Sequence, residues 1–109
     1  MAVTQRPPAL RRDIVRIFSE DRLVAVIRTT SADSAELAAR AMARAGVRLV
    51  EITLTVPDAL ELIAKLATDD EFAAQGAIVG AGTVLSGAQA EDSLIAGARF
   101  LVSPALIPS

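Results

Sequence analysis

Three side chains in this sequence stand where chemistry could be done: Glu51, Arg28 and Thr83. Glu51 interrupts the β-branched, apolar run LVEITLTVPDA at positions 49–59. A charged group buried without a partner either costs several kcal/mol or shifts its pKa. Glu51 therefore lies at a solvated strand edge or faces a polar cavity where a carboxylate can move protons. Arg28 closes the run LVAVIR, as a solvated terminus, as an ion-pair partner of Glu51, or as a ligand contact. Thr83 closes GAGT at 80–83, which reads equally as a tight turn or as a ligand loop. The stretch is not a P-loop, and it lacks the third glycine of a dinucleotide fingerprint.

Composition narrows the field. The 109 residues are 52% hydrophobic, mostly small aliphatics, with three Phe and no Trp or Tyr. That suits helices packed closely on a sheet, and it denies the aromatic platforms on which nucleic-acid bases stack. A net charge of −2 provides no basic field for a polyanion. With no Cys and no His, thiol catalysis and Cys/His zinc sites are excluded. Lys65 is the only lysine. No leader-like apolar region opens the sequence, and no run approaches the roughly 18 apolar residues of a membrane span. A cytoplasmic protein is expected.

The elements that would position these groups follow from periodicity. A helix is expected over 9–19, after Pro7 and Pro8. A strand over 23–28 leads to a helix capped by Ser31, with acids early, bases late and Gly46 at its end. A second strand, 47–54, precedes a helix opened by Thr55, Val56 and Pro57 and running to about residue 67. TDDEFAAQG at 68–76 reads as a polar loop, AIVGAG as a third strand, and Ser86 with Gln89 as a capping box for a helix ending at Gly97. RFLVSP at 99–104 reads as a fourth strand. Helices alternating with near-continuous aliphatic strands predict an α/β fold with a parallel sheet covered on both faces.

Strand parity then sorts the side chains. Leu49, Glu51, Thr53 and Thr55 share one face of the second strand, while Val50, Ile52 and Leu54 face helices. Val24, Val26 and Arg28 share a face of the first strand; Val79, Ala81 and Thr83 share one of the third. The fourth strand ends in Ser103 and Pro104, so every strand delivers a polar group near its C-terminal end, where parallel α/β folds bind ligands. Taken singly, Thr53 and Thr55 are ordinary strand residues, and Arg6, Arg11, Arg12 and Arg16 form a solvated helix face.

From about Asp21 to Pro104, EITLTVPDA, VGAGTVL and FLVSP occur in an order and spacing that resemble the 2-keto-3-deoxy-6-phosphogluconate (KDPG)/4-hydroxy-2-oxoglutarate (KHG) aldolases. The resemblance implies a parallel (β/α)₈ TIM barrel with an extra N-terminal helix, usually a homotrimer. It implies cleavage of a 2-keto-3-deoxy sugar acid phosphate to pyruvate and glyceraldehyde 3-phosphate, through a Schiff-base lysine, with no metal and no cofactor. Glu51 matches the family's general acid/base. Arg28 matches a carboxylate-binding arginine, Thr83 a pyruvate contact and Pro104 a proline lining the pocket. Thr55 stands where some members carry a pyruvate-binding arginine, which makes Arg28 the expected anchor.

The Schiff-base lysine of the family lies on a later strand, whereas Lys65 falls within a helix. The expectation is therefore a single unit, 1–109, holding the N-terminal helix (1–20) and the first four strands (21–109) of a barrel, inactive alone. Half a barrel would leave two open sheet edges and expose Val24, Val26, Leu49 and Val79. Two neighbouring readings stand beside this one. A 2-keto-3-deoxy-6-phosphogalactonate aldolase would differ only in substrate stereochemistry. A non-catalytic half barrel would associate with itself.

Overall fold

The computed structural model describes residues 11–104. Its elements run α1 (Arg11–Asp21), β1 (Ala25–Ile27), α2 (Ala32–Arg44), β2 (Leu49–Thr53), α3 (Ala59–Ala67), α4 (Asp70–Ala74), β3 (Ile78–Gly82) and α5 (Gly87–Ala96). The expected start of the first helix at residues 9 and 10, with Arg6, lies outside the described residues.

The sheet is parallel, in the order β1-β2-β3. Its register places Ala25, Val50 and Val79 side by side, and Ile27, Ile52 and Ala81 beside one another. These rows face the helices, and all of their members but Ala25 are buried. The alternate row is Val26, Glu51 and Gly80, followed by Thr53 beside Gly82.

The helices form where their caps and apolar stripes say they should. Ser31 Oγ accepts the Ser34 N–H at 3.1 Å, and Ala35, Ala39 and Ala43 recur every fourth residue on the buried stripe of α2. Alanine on that stripe lets the helix axis sit close to β1 and β2, which α2 contacts. Gly46, at φ +96°, then reverses the chain. In α3, Leu62, Ile63 and Leu66 are buried, each contributing roughly 1.5–3 kcal/mol relative to exposure. Ser86 Oγ accepts the Gln89 N–H at 3.2 Å, while the Gln89 side chain accepts from Leu85 N–H at 2.7 Å. That exchange caps α5, which ends at Gly97 with φ +118°.

Four expectations are corrected. The polar loop after α3 contains a short helix, α4, because Asp69 caps it by accepting the Phe72 N–H at 2.8 Å and the Phe72 ring is buried. The helix expected from Thr55 starts later, at Ala59, after a turn that ends in left-handed Asp58. The fourth strand is reduced to a bridge between Ala81 and Leu101. Its backbone still follows β3, through bonds from Arg99 N–H to Val79 O, Ala81 N–H to Phe100 O and Val102 N–H to Ala81 O.

The fourth correction concerns the open face. Val26 is 56% exposed and Val24 half-buried, as expected, but Leu49 and Val79 are buried. Val79 belongs with Ala81 to the helix-facing rows, and not to the open face. Leu49 is on the Glu51 side, at the end of the sheet against which α1 lies. Arg48 fastens that helix by donating to both Asp21 carboxylate oxygens at 2.8 and 2.7 Å and to Glu20 at 2.9 Å.

The outer layer carries a second ionic chain. Lys65 Nζ meets Glu36 at 2.9 Å, Glu36 meets Arg40 at 2.9 Å, and Arg40 meets Asp69 at 3.1 Å. It ties α2, α3 and the cap of α4 together, and it fixes Lys65 on the outside. Among the described residues, no helix is long and apolar enough to cross a membrane.

Candidate active site

Glu51 occupies the middle of β2, and its side chain runs along the sheet toward the C-terminal strand ends. Only 5% of the residue is exposed. Its carboxylate accepts no hydrogen bond from a described side chain, and neither oxygen is cut off from solvent as an unpaired buried atom. Burial raises its pKa above the ordinary carboxyl value, and the positive charge of Arg28 pulls weakly the other way. No ion pair joins the two among the described residues, so of the readings open for Arg28, pairing with Glu51 falls away.

Arg28 instead extends, exposed, from the end of β1 and donates from Nη2 to Thr83 Oγ1 at 3.4 Å. Thr83 receives that bond with its own backbone left-handed, at φ +56°. A β-branched residue there is strained. The inversion breaks the alternation of β3. Thr83 therefore does not continue the Val79–Ala81 row as parity predicted, but turns back toward the Glu51–Arg28 side.

Thr53 is wholly buried below this rim, and its hydroxyl pairs with that of exposed Thr55 at 2.9 Å. Glu51, Arg28, Thr83 and Thr55 thus gather at one end of the sheet. Pro104 is exposed at the last described position, and no hydrogen bond or ion pair ties it to the other four.

Two glycines complete the site in a way that motif reading missed. A Cβ built on Gly82 would collide with the Glu51 carboxylate, and one on Gly80 would meet the Phe100 ring at 2.5 Å. Both glycines lie on the face that carries Glu51, so carboxylate and ring rest directly on β3 backbone. The available signal was two glycines at alternate positions inside a strand, which marks a close approach.

The arrangement combines a desolvated carboxyl able to give and take a proton with a guanidinium held at a threonine hydroxyl. Such a guanidinium is free to engage a carboxylate through charge-assisted hydrogen bonds. Among the described residues, no cluster of three or more acids is placed to hold a metal ion.

Known proteins resemble this chain in sequence and fold. The family model for KDPG and KHG aldolase matches residues 14–109. A 2-dehydro-3-deoxy-phosphogluconate aldolase of Pseudoalteromonas atlantica is 34% identical over 90 residues, covering 83% of this chain and 40% of that protein. A protein of Rhizobium meliloti named as a probable 2-dehydro-3-deoxy-6-phosphogalactonate aldolase is 36% identical over 90 residues, covering 83% of this chain and 41% of that one. The crystal structure of KDPG aldolase from Legionella pneumophila, with pyruvate captured as a covalent carbinolamine, superposes with a TM-score of 0.63 at 30% identity. That alignment covers 77% of this chain and 39% of the Legionella chain. The chain spans about two fifths of the length of the curated relatives it matches.

Proposed function

This chain belongs to the KDPG and KHG aldolase family, and from that premise we propose that it carries the proton-transfer and carboxylate-binding part of a class I aldolase site. The observation behind the proposal is Glu51: a buried carboxyl, raised in pKa, at the C-terminal end of a parallel sheet beside Arg28 and Thr83. In this reading an amine attacks the 2-keto carbon of the substrate. Glu51 delivers a proton to the resulting carbinolamine oxygen, which leaves as water to form the imine. It then takes the proton of the 4-hydroxyl as the bond between C3 and C4 breaks, releasing the aldehyde and leaving an enamine of pyruvate. Arg28 binds the substrate carboxylate, with Thr83 and Thr55 supplying hydroxyls to the pyruvate end and Pro104 lining the pocket. The pyruvate carbinolamine seen in the Legionella relative supports the covalent route.

The amine is the missing partner. A nucleophilic lysine must be desolvated and within reach of its proton shuttle. Lys65, the only lysine, is 59% exposed and engaged with Glu36 on the outer layer. In this reading the 109-residue chain by itself should not cleave substrate, and the amine that a family-length protein needs is a residue other than Lys65. That protein is read as a cytoplasmic homotrimer needing no metal or cofactor, with a phosphorylated 2-keto-3-deoxy sugar acid as substrate. The Rhizobium relative makes the galactonate epimer as eligible as the gluconate.

The test is to join residues 1–104 to the unmatched remainder of the Pseudoalteromonas relative. Pyruvate release from 2-keto-3-deoxy-6-phosphogluconate and from its galactonate epimer is then followed. The fusion is expected to cleave at least one, and the chain alone neither. A fusion that folds and binds pyruvate but cleaves neither would overturn the reading. One observation favours self-association as a second reading: Val26 and Leu23 are 56% and 52% exposed at the β1 edge. Sedimentation of the purified chain decides that point.

A further inference from the structure

A glycine within a strand weakens it, through backbone entropy and the loss of a side chain to pack. β3 contains two, Gly80 and Gly82, at alternate positions on one face. Neither has a positive φ, unlike Gly46, Gly76 and Gly97, so neither is there for conformational freedom. What distinguishes them is space. The room above Gly80 is taken by the Phe100 ring, whose edge a Cβ would meet at 2.5 Å. The room above Gly82 is taken by the Glu51 side chain itself: a Cβ would overlap the carboxylate and stand 2.8 Å from Cγ. An acid that points along the sheet toward the strand ends needs such a gap, because a side chain on the adjoining strand would otherwise fill that position.

We propose that Gly82 is a positioning residue for Glu51, and that the missing side chain on β3 is the seat holding the carboxylate beside Arg28 and Thr83. The catalytic meaning of that seat rests on the reading of Glu51 given above; the seat itself does not. Two features make the arrangement directional. Gly82 O accepts the Leu54 N–H at 2.9 Å, which locks β2 and β3 together at the level of the seat. Immediately after it, left-handed Thr83 turns its hydroxyl to Arg28. A methyl at 82 cannot be absorbed by moving β3 away, and so the carboxylate must leave.

The test uses the 109-residue chain and the carboxyl carbon resonance of Glu51, followed by NMR through a pH titration. In Gly82→Ala the resonance should move and its midpoint should fall back toward that of an ordinary exposed glutamate. Gly80→Ala, the same substitution two residues away on the same face, displaces Phe100 and should leave the larger part of the Glu51 shift in place. If Gly82→Ala leaves the Glu51 titration unchanged, or Gly80→Ala abolishes it equally, the proposal is wrong. Should Gly82→Ala fail to fold, the double variant Glu51→Ala/Gly82→Ala decides, because it removes the group with which the new methyl collides. It should fold and unfold at the urea midpoint of Glu51→Ala, and an unfolded double variant would assign Gly82 another role. None of these readouts involves turnover, so a fusion that folds and binds pyruvate without cleaving either substrate would sink the aldolase reading and leave the seat intact.

Discussion

Thr83 and Arg28 are 55 residues apart in sequence and joined by a 3.4 Å hydrogen bond that Thr83 accepts with its own backbone left-handed. A β-branched residue at φ +56° carries about 1–3 kcal/mol of strain. The bond it makes is long and exposed, so it offsets little of that cost. Thr83→Gly should therefore stabilise the chain, by about 1 kcal/mol after the extra chain entropy of glycine is set against the relief. Urea unfolding followed by circular dichroism measures it. A drop in midpoint would mean that the threonine is held there by contacts worth more than its strain.

Glu51→Gln keeps the shape of the side chain and removes its ability to exchange a proton. In the family-length fusion this should lower kcat by about 10²–10⁴-fold, the usual worth of a positioned acid/base, with pyruvate affinity changed far less. Steady-state kinetics with a parallel pyruvate-binding titration separates the two effects. An unchanged kcat removes Glu51 from proton transfer.

Trapping gives a third expectation. Borohydride reduces an imine to a stable amine, so pyruvate and borohydride together mark any lysine that forms one. Lys65 faces solvent from α3 and meets Glu36 at 2.9 Å. Intact-mass measurement of the 109-residue chain after treatment should show no pyruvate adduct. A stoichiometric adduct at Lys65 would contradict the division of labour proposed above.

How much of this was legible beforehand depends on the range of the interaction. Caps and helix ends were local, so Ser31, Gly46, Ser86 and Gly97 could be read directly and perform as expected. Glu51 stood out because an acid in an aliphatic strand has few explanations. Local signals failed where distant residues decide. α4 is five residues long, too short to show a period, and depends on Asp69, which Arg40 engages from α2. Alternation carried along β3 through Thr83 puts Val79 on the open face, because it does not foresee the inverted backbone at Thr83. GAGT reads as a turn or a ligand loop because the groups that need its glycines, Glu51 and Phe100, lie about 30 and 20 residues away along the chain.

Asp69 performs two tasks that substitution can separate. It accepts the Phe72 N–H at 2.8 Å as the cap of α4, and it accepts Arg40 at 3.1 and 3.3 Å. Asp69→Ala loses both, and should cost about 1–2 kcal/mol, a cap being worth about 1 and the partly buried pair up to about 1. Asp69→Asn keeps a capping oxygen and loses the charge, so its cost should stay under about 1 kcal/mol. Equal losses in the two urea curves would show that the ion pair, not the cap, holds α4 in place.

The acids of the outer layer and the acid of the site should respond to pH in opposite directions. Lys65 and then Arg40 hold the Glu36 carboxyl below its ordinary value, and Arg40 with the Phe72 N–H does the same for Asp69. Across the interval below their unfolded values, near about 4, the unfolded chain binds more protons than the folded one. Their stabilisation is therefore complete above that interval and is lost as pH falls through their folded values. Glu51 is raised by burial, so from about 4.3 upward the folded chain binds the extra proton. Its carboxyl becomes a growing penalty until the pH passes its folded value. Glu51→Gln cannot ionise and escapes that penalty. The stability advantage of Glu51→Gln over wild type should thus widen from acidic to neutral pH, while both proteins weaken together in strong acid. Urea midpoints of the two chains across the range provide the comparison, and a constant difference between them would show that Glu51 is ionised as readily in the fold as in water.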